Sequence, residues 1–66
     1  MQDIIDYIKQ LISEKGLKQK YVAEQMGMSA NDFSNMMNGR KEFKVEHVAP
    51  LCKALDISAN ELFRII

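Results

Sequence analysis

Apolar residues fall in helical register along most of this chain. In DIIDYIKQLISEKG, Ile4, Ile5, Ile8, Leu11 and Ile12 follow the i, i+1, i+4, i+7, i+8 stripe of one helix face, with Tyr7 at its edge. Gly16 is placed as the left-handed stop of that helix. A hydrophobic residue just before a helix cap packs on the residue five positions later. Leu17 and Val22, Met28 and Phe33, and Ile57 and Leu62 have this spacing around Lys18, Ser29 and Ser58. Ser29 and Ser58 also open capping boxes with Asp32 and Glu61, whereas Lys18 is a poor cap. Helix starts are therefore expected near residues 18, 29 and 58.

The second helix should run through QKYVAEQM with Val22, Ala23 and Met26 inward and stop at Gly27; the third through ANDFSNMMN, stopping at Gly39. The fourth, KVEHVAPLCKAL, offers Val45, Val48, Cys52 and Leu55 as its inner face. Pro50 interrupts it, since an interior proline removes a hydrogen bond and costs ~3 kcal/mol or more. Either this helix kinks, or residues 45 to 48 form a looser first turn. A short fifth helix, ANELFRI, completes the set. No strand pattern, repeat or linker competes, so an all-α bundle of five helices is expected.

Two helices joined by a three- to four-residue turn containing glycine make a helix-turn-helix unit, and QKYVAEQM-GMS-ANDFSNMMN supplies one. Small Ala23 suits the place where the two helices cross, Gly27 suits the turn, and Phe33 suits the inner face of the second helix. Gln19, Ala23, Gly27, Ser29, Ser34, Asn38 and Gly39, with the later run VEHVAPLCKALDISANELF, resemble the lambda-repressor-like, Cro/C1-type (XRE-type) domains. The resemblance spans about Ile4 to Phe63. It implies one such domain over residues 1–66, a five-helix fold with the helix-turn-helix at helices two and three, and operator binding by a homodimer. Lys18, Ala30, Phe33, Met37 and Pro50 depart from the pattern. Ala30 stands where the family often has a base-reading glutamine, so the operator sequence stays open.

Charge at first argues against this partner. The 66 residues carry 9 basic and 9 acidic side chains, a formal net charge of zero, and the expected recognition helix has Asp32 as its one charge. Residues 15–44 nevertheless sum to +3, leaving −3 for the rest. Base reading needs no cation, because an asparagine amide pairs with adenine through N6 and N7. Asn31 and Asn35, four apart, share a face opposite Phe33 and Met37; Ala30 can offer its methyl to a thymine methyl, and Ser34 lies beside them. Asp32 reads as a cap that bonds back to the Ser29 backbone and favours the positive helix end. Phosphate contacts are expected from Lys18, Gln19, Lys20, Ser29, Asn38, Arg40, Lys41 and Lys44, which position the protein while base contacts specify sequence. At Gln19, free backbone N–H groups of the helix start are also available to a phosphate.

Other chemistries find little support. His47 and Cys52, five apart, do not face each other on a helix, and zinc needs three or four converging ligands. Cys52 falls on the apolar stripe, as a small hydrophobe. No metal, cofactor, small-molecule ligand or enzymatic activity is expected. No apolar run approaches the ~20 residues of a membrane span, and the single cysteine suits a reducing compartment, so a cytoplasmic protein is expected; the family resemblance implies a bacterial or phage-encoded one. The last residues, ELFRII, hold more apolar side chains than one small core can cover, making Phe63, Ile65 and Ile66 the expected dimer interface on a palindromic operator. The competing class is a protein-interaction module on the same bundle, favoured by zero net charge and by Asp32.

Overall fold

The computed structural model describes residues 2–64, with side chains from Ile4 onward. Among these residues there are five α-helices, α1 (Gln2–Glu14), α2 (Gln19–Gln25), α3 (Ala30–Met37), α4 (Val48–Leu55) and α5 (Ala59–Phe63), with a 3-10 turn at Val45–His47 and no strand. Ile65 and Ile66 lie outside the described residues.

One connection is used three times. At the end of α2 the N–H of Met28 donates to the Ala23 carbonyl (2.9 Å) and the N–H of Gly27 to that of Glu24 (3.1 Å). This is the paired 6→1 and 5→2 pattern of a Schellman ending. Leu17 and Gly16 repeat it on Ile12 and Ser13, and Ile57 and Asp56 repeat it on Cys52 and Lys53. In each case the residue closing the old helix (Leu17, Met28 or Ile57) packs against the core and immediately precedes the cap of the next helix. A single apolar side chain thus closes one helix at the entry of the next, packed on the same core that buries Val22, Phe33 and Leu62, as the staple spacing expects.

The position before that apolar residue must adopt a left-handed backbone. Gly27 has φ +74, and an added Cβ would meet nothing within 4 Å, so the dihedral rather than space selects glycine. In the third link the same position holds Asp56, at φ 57 and ψ 48. A non-glycine residue there costs about 1 kcal/mol, part of which glycine's greater unfolded freedom cancels. Asp56→Gly should stabilise the fold by about 0.5 kcal/mol and raise the melting temperature by ~3 °C. A thermal melt followed by circular dichroism checks this, and a lower melting temperature would contradict it.

The α1 stripe, Ile4 through Ile12, is buried as its spacing predicts, and Tyr7 at its edge donates from its hydroxyl to Glu61 Oε2 (3.1 Å), tying α1 to α5. Loss of solvent around the hydroxyl, then the Glu61 bond, push Tyr7 above its usual pKa. Of the two expectations for the fourth helix, a kink or a looser first turn, the second is what forms. Residues 45–47 form the 3-10 turn and α4 begins at Val48, so Pro50 sits in the first helical turn, where its nitrogen has no intrahelical acceptor to lose. Val45, expected inward, is 84% exposed; Phe43 enters the core instead. Burial, then the charge of Glu61, push the Cys52 thiol up in pKa, so it stays a neutral packing group.

Candidate nucleic-acid interface

The site begins with how α3 is held. Ser29 Oγ accepts from the Asp32 N–H (3.0 Å) and the Ser29 carbonyl from the Phe33 N–H (3.0 Å), which sets the first turn. The return bond expected from the Ser29 N–H to the Asp32 carboxylate is not formed; the carboxylate stands exposed beside the positive helix end. Phe33, Met36 and Met37 are buried on one face, and α2 packs directly on α3 with Ala23 fully enclosed. Met37 therefore extends the apolar face.

Helix geometry then places the other side chains. At 100° per residue, Asn31, Ser34, Asn35 and Asn38 share the arc opposite Phe33 and Met36. Asn31 and Asn38 are exposed, Ser34 and Asn35 half-buried, and Ala30 is exposed at the start. The face is polar and uncharged. The Asn38 amide Nδ2 donates to Ser34 Oγ at 3.3 Å, so two of its members are already paired.

The cations follow at once. The Asn35 carbonyl accepts from both the Arg40 N–H (2.8 Å) and the Lys41 N–H (3.2 Å), folding the chain after Gly39 back onto the last turn of α3. Four residues on, the Lys44 N–H donates to His47 Nδ1 (2.9 Å) while the His47 N–H donates to the Lys44 carbonyl (2.9 Å). Between them Phe43 is buried and stacks on the His47 ring at 5.9 Å. The loop carrying Arg40, Lys41 and Lys44 is thus anchored at both ends while these three side chains stay exposed. Lys18, Gln19 and Lys20 are exposed at the start of α2, and Lys18 forms no side-chain cap, as its chemistry implies.

Phe43 and the imidazole bond of His47 are the site-forming features that sequence patterning did not find. A lone phenylalanine between Glu42 and Lys44 was the available signal. Asp32, Arg40, Lys41 and Lys44 lie at or beyond the two ends of α3, and the uncharged face lies between them. Among the described residues no group of three or more His, Cys, Asp or Glu is arranged to hold a metal ion, and no helix is long and apolar enough to cross a membrane.

No curated protein sequence matches the chain. Among solved structures it is similar to the clp gene regulator ClgR from C. glutamicum, at 25% identity and a TM-score of 0.82, over 97% of this chain and 84% of that one. The family model of the Cro/C1-type helix-turn-helix DNA-binding domain matches residues 2–66. Family and neighbour together make this a DNA-binding regulator in kind, with the five-helix fold that the resemblance implies. The chain belongs to the Cro/C1-type helix-turn-helix DNA-binding domain family.

Proposed function

We propose that the chain binds double-stranded DNA by sequence, as a small repressor-like transcriptional regulator with α3 in the major groove. The observation that carries this is the composition of the outward arc of α3. Ala30, Asn31, Ser34 and Asn35 present methyl, amide and hydroxyl groups, the chemistry that matches base edges, with cations confined to its flanks. Lys18, Gln19, Lys20, Ser29, Asn38, Arg40, Lys41 and Lys44 contact phosphates and fix the register.

Salt dependence tests the phosphate contacts. Each phosphate neutralised contributes about −0.9 to the slope of log affinity against log salt. Arg40→Ala and Lys44→Ala should each weaken binding to all duplexes alike and make that slope shallower by about 1. An unchanged slope in both variants would take the loop out of the interface, and a flat slope for the wild type would favour the protein-interaction reading.

The same reading includes a homodimer on a palindromic operator. One helix-turn-helix unit reads few base pairs, so two are held on half-sites about one turn, ~34 Å, apart. Leu62 is buried, whereas Phe63 beside it is 46% exposed on α5, in keeping with an apolar contact to a second copy. In a twofold interface every substitution acts twice. Phe63→Glu should dissociate the dimer in sedimentation while leaving helix content intact. A wild-type chain that sediments as a 7.6 kDa monomer with and without duplex would rule the dimer out.

A further inference from the structure

We infer that Asn38 is a positioning residue that turns the Ser34 hydroxyl proton outward, so that Ser34 reads an acceptor on a base edge as a donor. The inference rests on the proposal that α3 reads bases. A serine hydroxyl ordinarily offers one donor and two acceptor sites and rotates to suit its partner. Within a helix it often turns back to the carbonyl four residues earlier. Ser34 does neither. Its Oγ accepts from Asn38 Nδ2, one turn further along, and among the described residues it has no other side-chain bond.

The consequence is directional. With the amide hydrogen aimed at an Oγ lone pair, the hydroxyl proton is left to point away from Asn38, out across the arc shared with Asn31 and Asn35. A proton presented there favours guanine O6 or N7, adenine N7 or thymine O4 over the amino groups of cytosine and adenine, which only the one remaining Oγ lone pair could receive. The second hydrogen of the same Nδ2 stays free, because an amide nitrogen carries two. Asn38 is exposed, so that hydrogen can meet a phosphate while the first holds Ser34. One side chain would then tie backbone register to base polarity.

The test uses the full chain and a library of random-sequence duplexes, with base preferences read by competitive selection. The variants are Ser34→Ala, Asn38→Ala, Asn38→Asp and the double variant S34A/N38D, each checked for an unchanged helical spectrum. Ser34→Ala should flatten preference at one base position by about three- to tenfold. Asn38→Asp replaces the donor by a carboxylate that only accepts, drawing the serine proton inward. It should reverse or erase preference at that same position, over and above any uniform loss from repulsion of phosphate. Asn38→Ala frees the hydroxyl to rotate and should broaden that position to admit donors. In the double variant the position should look as it does for Ser34→Ala alone. Asn38 variants that weaken all sequences equally and leave the preference at that position unchanged would overturn the inference while leaving base reading by α3 intact. No enrichment of any sequence by the wild type would overturn base reading itself, and this inference with it.

Discussion

Phe33→Ala is expected to remove about 3–5 kcal/mol of stability, enough to unfold much of the population at room temperature. A 66-residue chain has on the order of 3–10 kcal/mol in total, and this side chain carries an unusual share of it. Phe33 is fully buried on the inner face of α3, in the core against which Met28 packs. Its loss would leave a cavity behind α3, against α2, and loosen the geometry of every outward residue on α3. Urea denaturation reads the effect as a lower midpoint at an unchanged slope. A loss under about 1 kcal/mol would mean that α3 is not held by this contact.

The second large effect concerns affinity. If each reads adenine as proposed, Asn31→Ala and Asn35→Ala should weaken binding to the preferred duplex by ~1–3 kcal/mol, roughly five- to 150-fold, through loss of a bidentate amide–adenine pair. Binding to random duplex should hardly change, since both side chains are uncharged and neither supports the core. The asymmetry distinguishes a reader from a support. A residue that only kept the helix in place would lower both affinities together, as Phe33→Ala does. Measured on both duplexes, equal losses would assign the two asparagines to the scaffold.

Much of this architecture could be read from the chain because one local device recurs. The residues Leu17, Met28 and Ile57 stand between a left-handed position and a helix cap, and their spacing to Val22, Phe33 and Leu62 is visible without any structure. The outward arc of α3 follows from the same periodicity, since burying Phe33, Met36 and Met37 leaves only one direction for Asn31 and Asn35. Pro50 left the looser entry to α4 open as one of two alternatives, but which side chain that entry buries was not legible. Val45, Val48, Cys52 and Leu55 keep a helical rhythm, yet the chain enters through a 3-10 turn and buries Phe43 rather than Val45. An isolated aromatic in a charged loop has no period to betray it. Bonds that depend on side-chain rotamers, such as Asn38 to Ser34 and Lys44 to His47, likewise leave no trace in apolar spacing.

Net charge and the distribution of charge point to different partners. The zero net value hides a local excess around α2, α3 and the following loop, and it is local potential that a phosphate backbone meets. The anchoring of Arg40 and Lys41 on the Asn35 carbonyl, and of Lys44 on His47, gives that excess a fixed place next to the neutral face.

The most direct measurement is an equilibrium titration of the wild-type chain at fixed ionic strength against two probes, the duplex it selects from a random library and random duplex itself. If α3 reads bases while the loop and the start of α2 contact phosphates, the selected duplex should bind at least about a thousandfold more tightly. Raising the salt should weaken both complexes steeply. Equal affinity for the two duplexes, or no binding to either at low salt, would contradict the account.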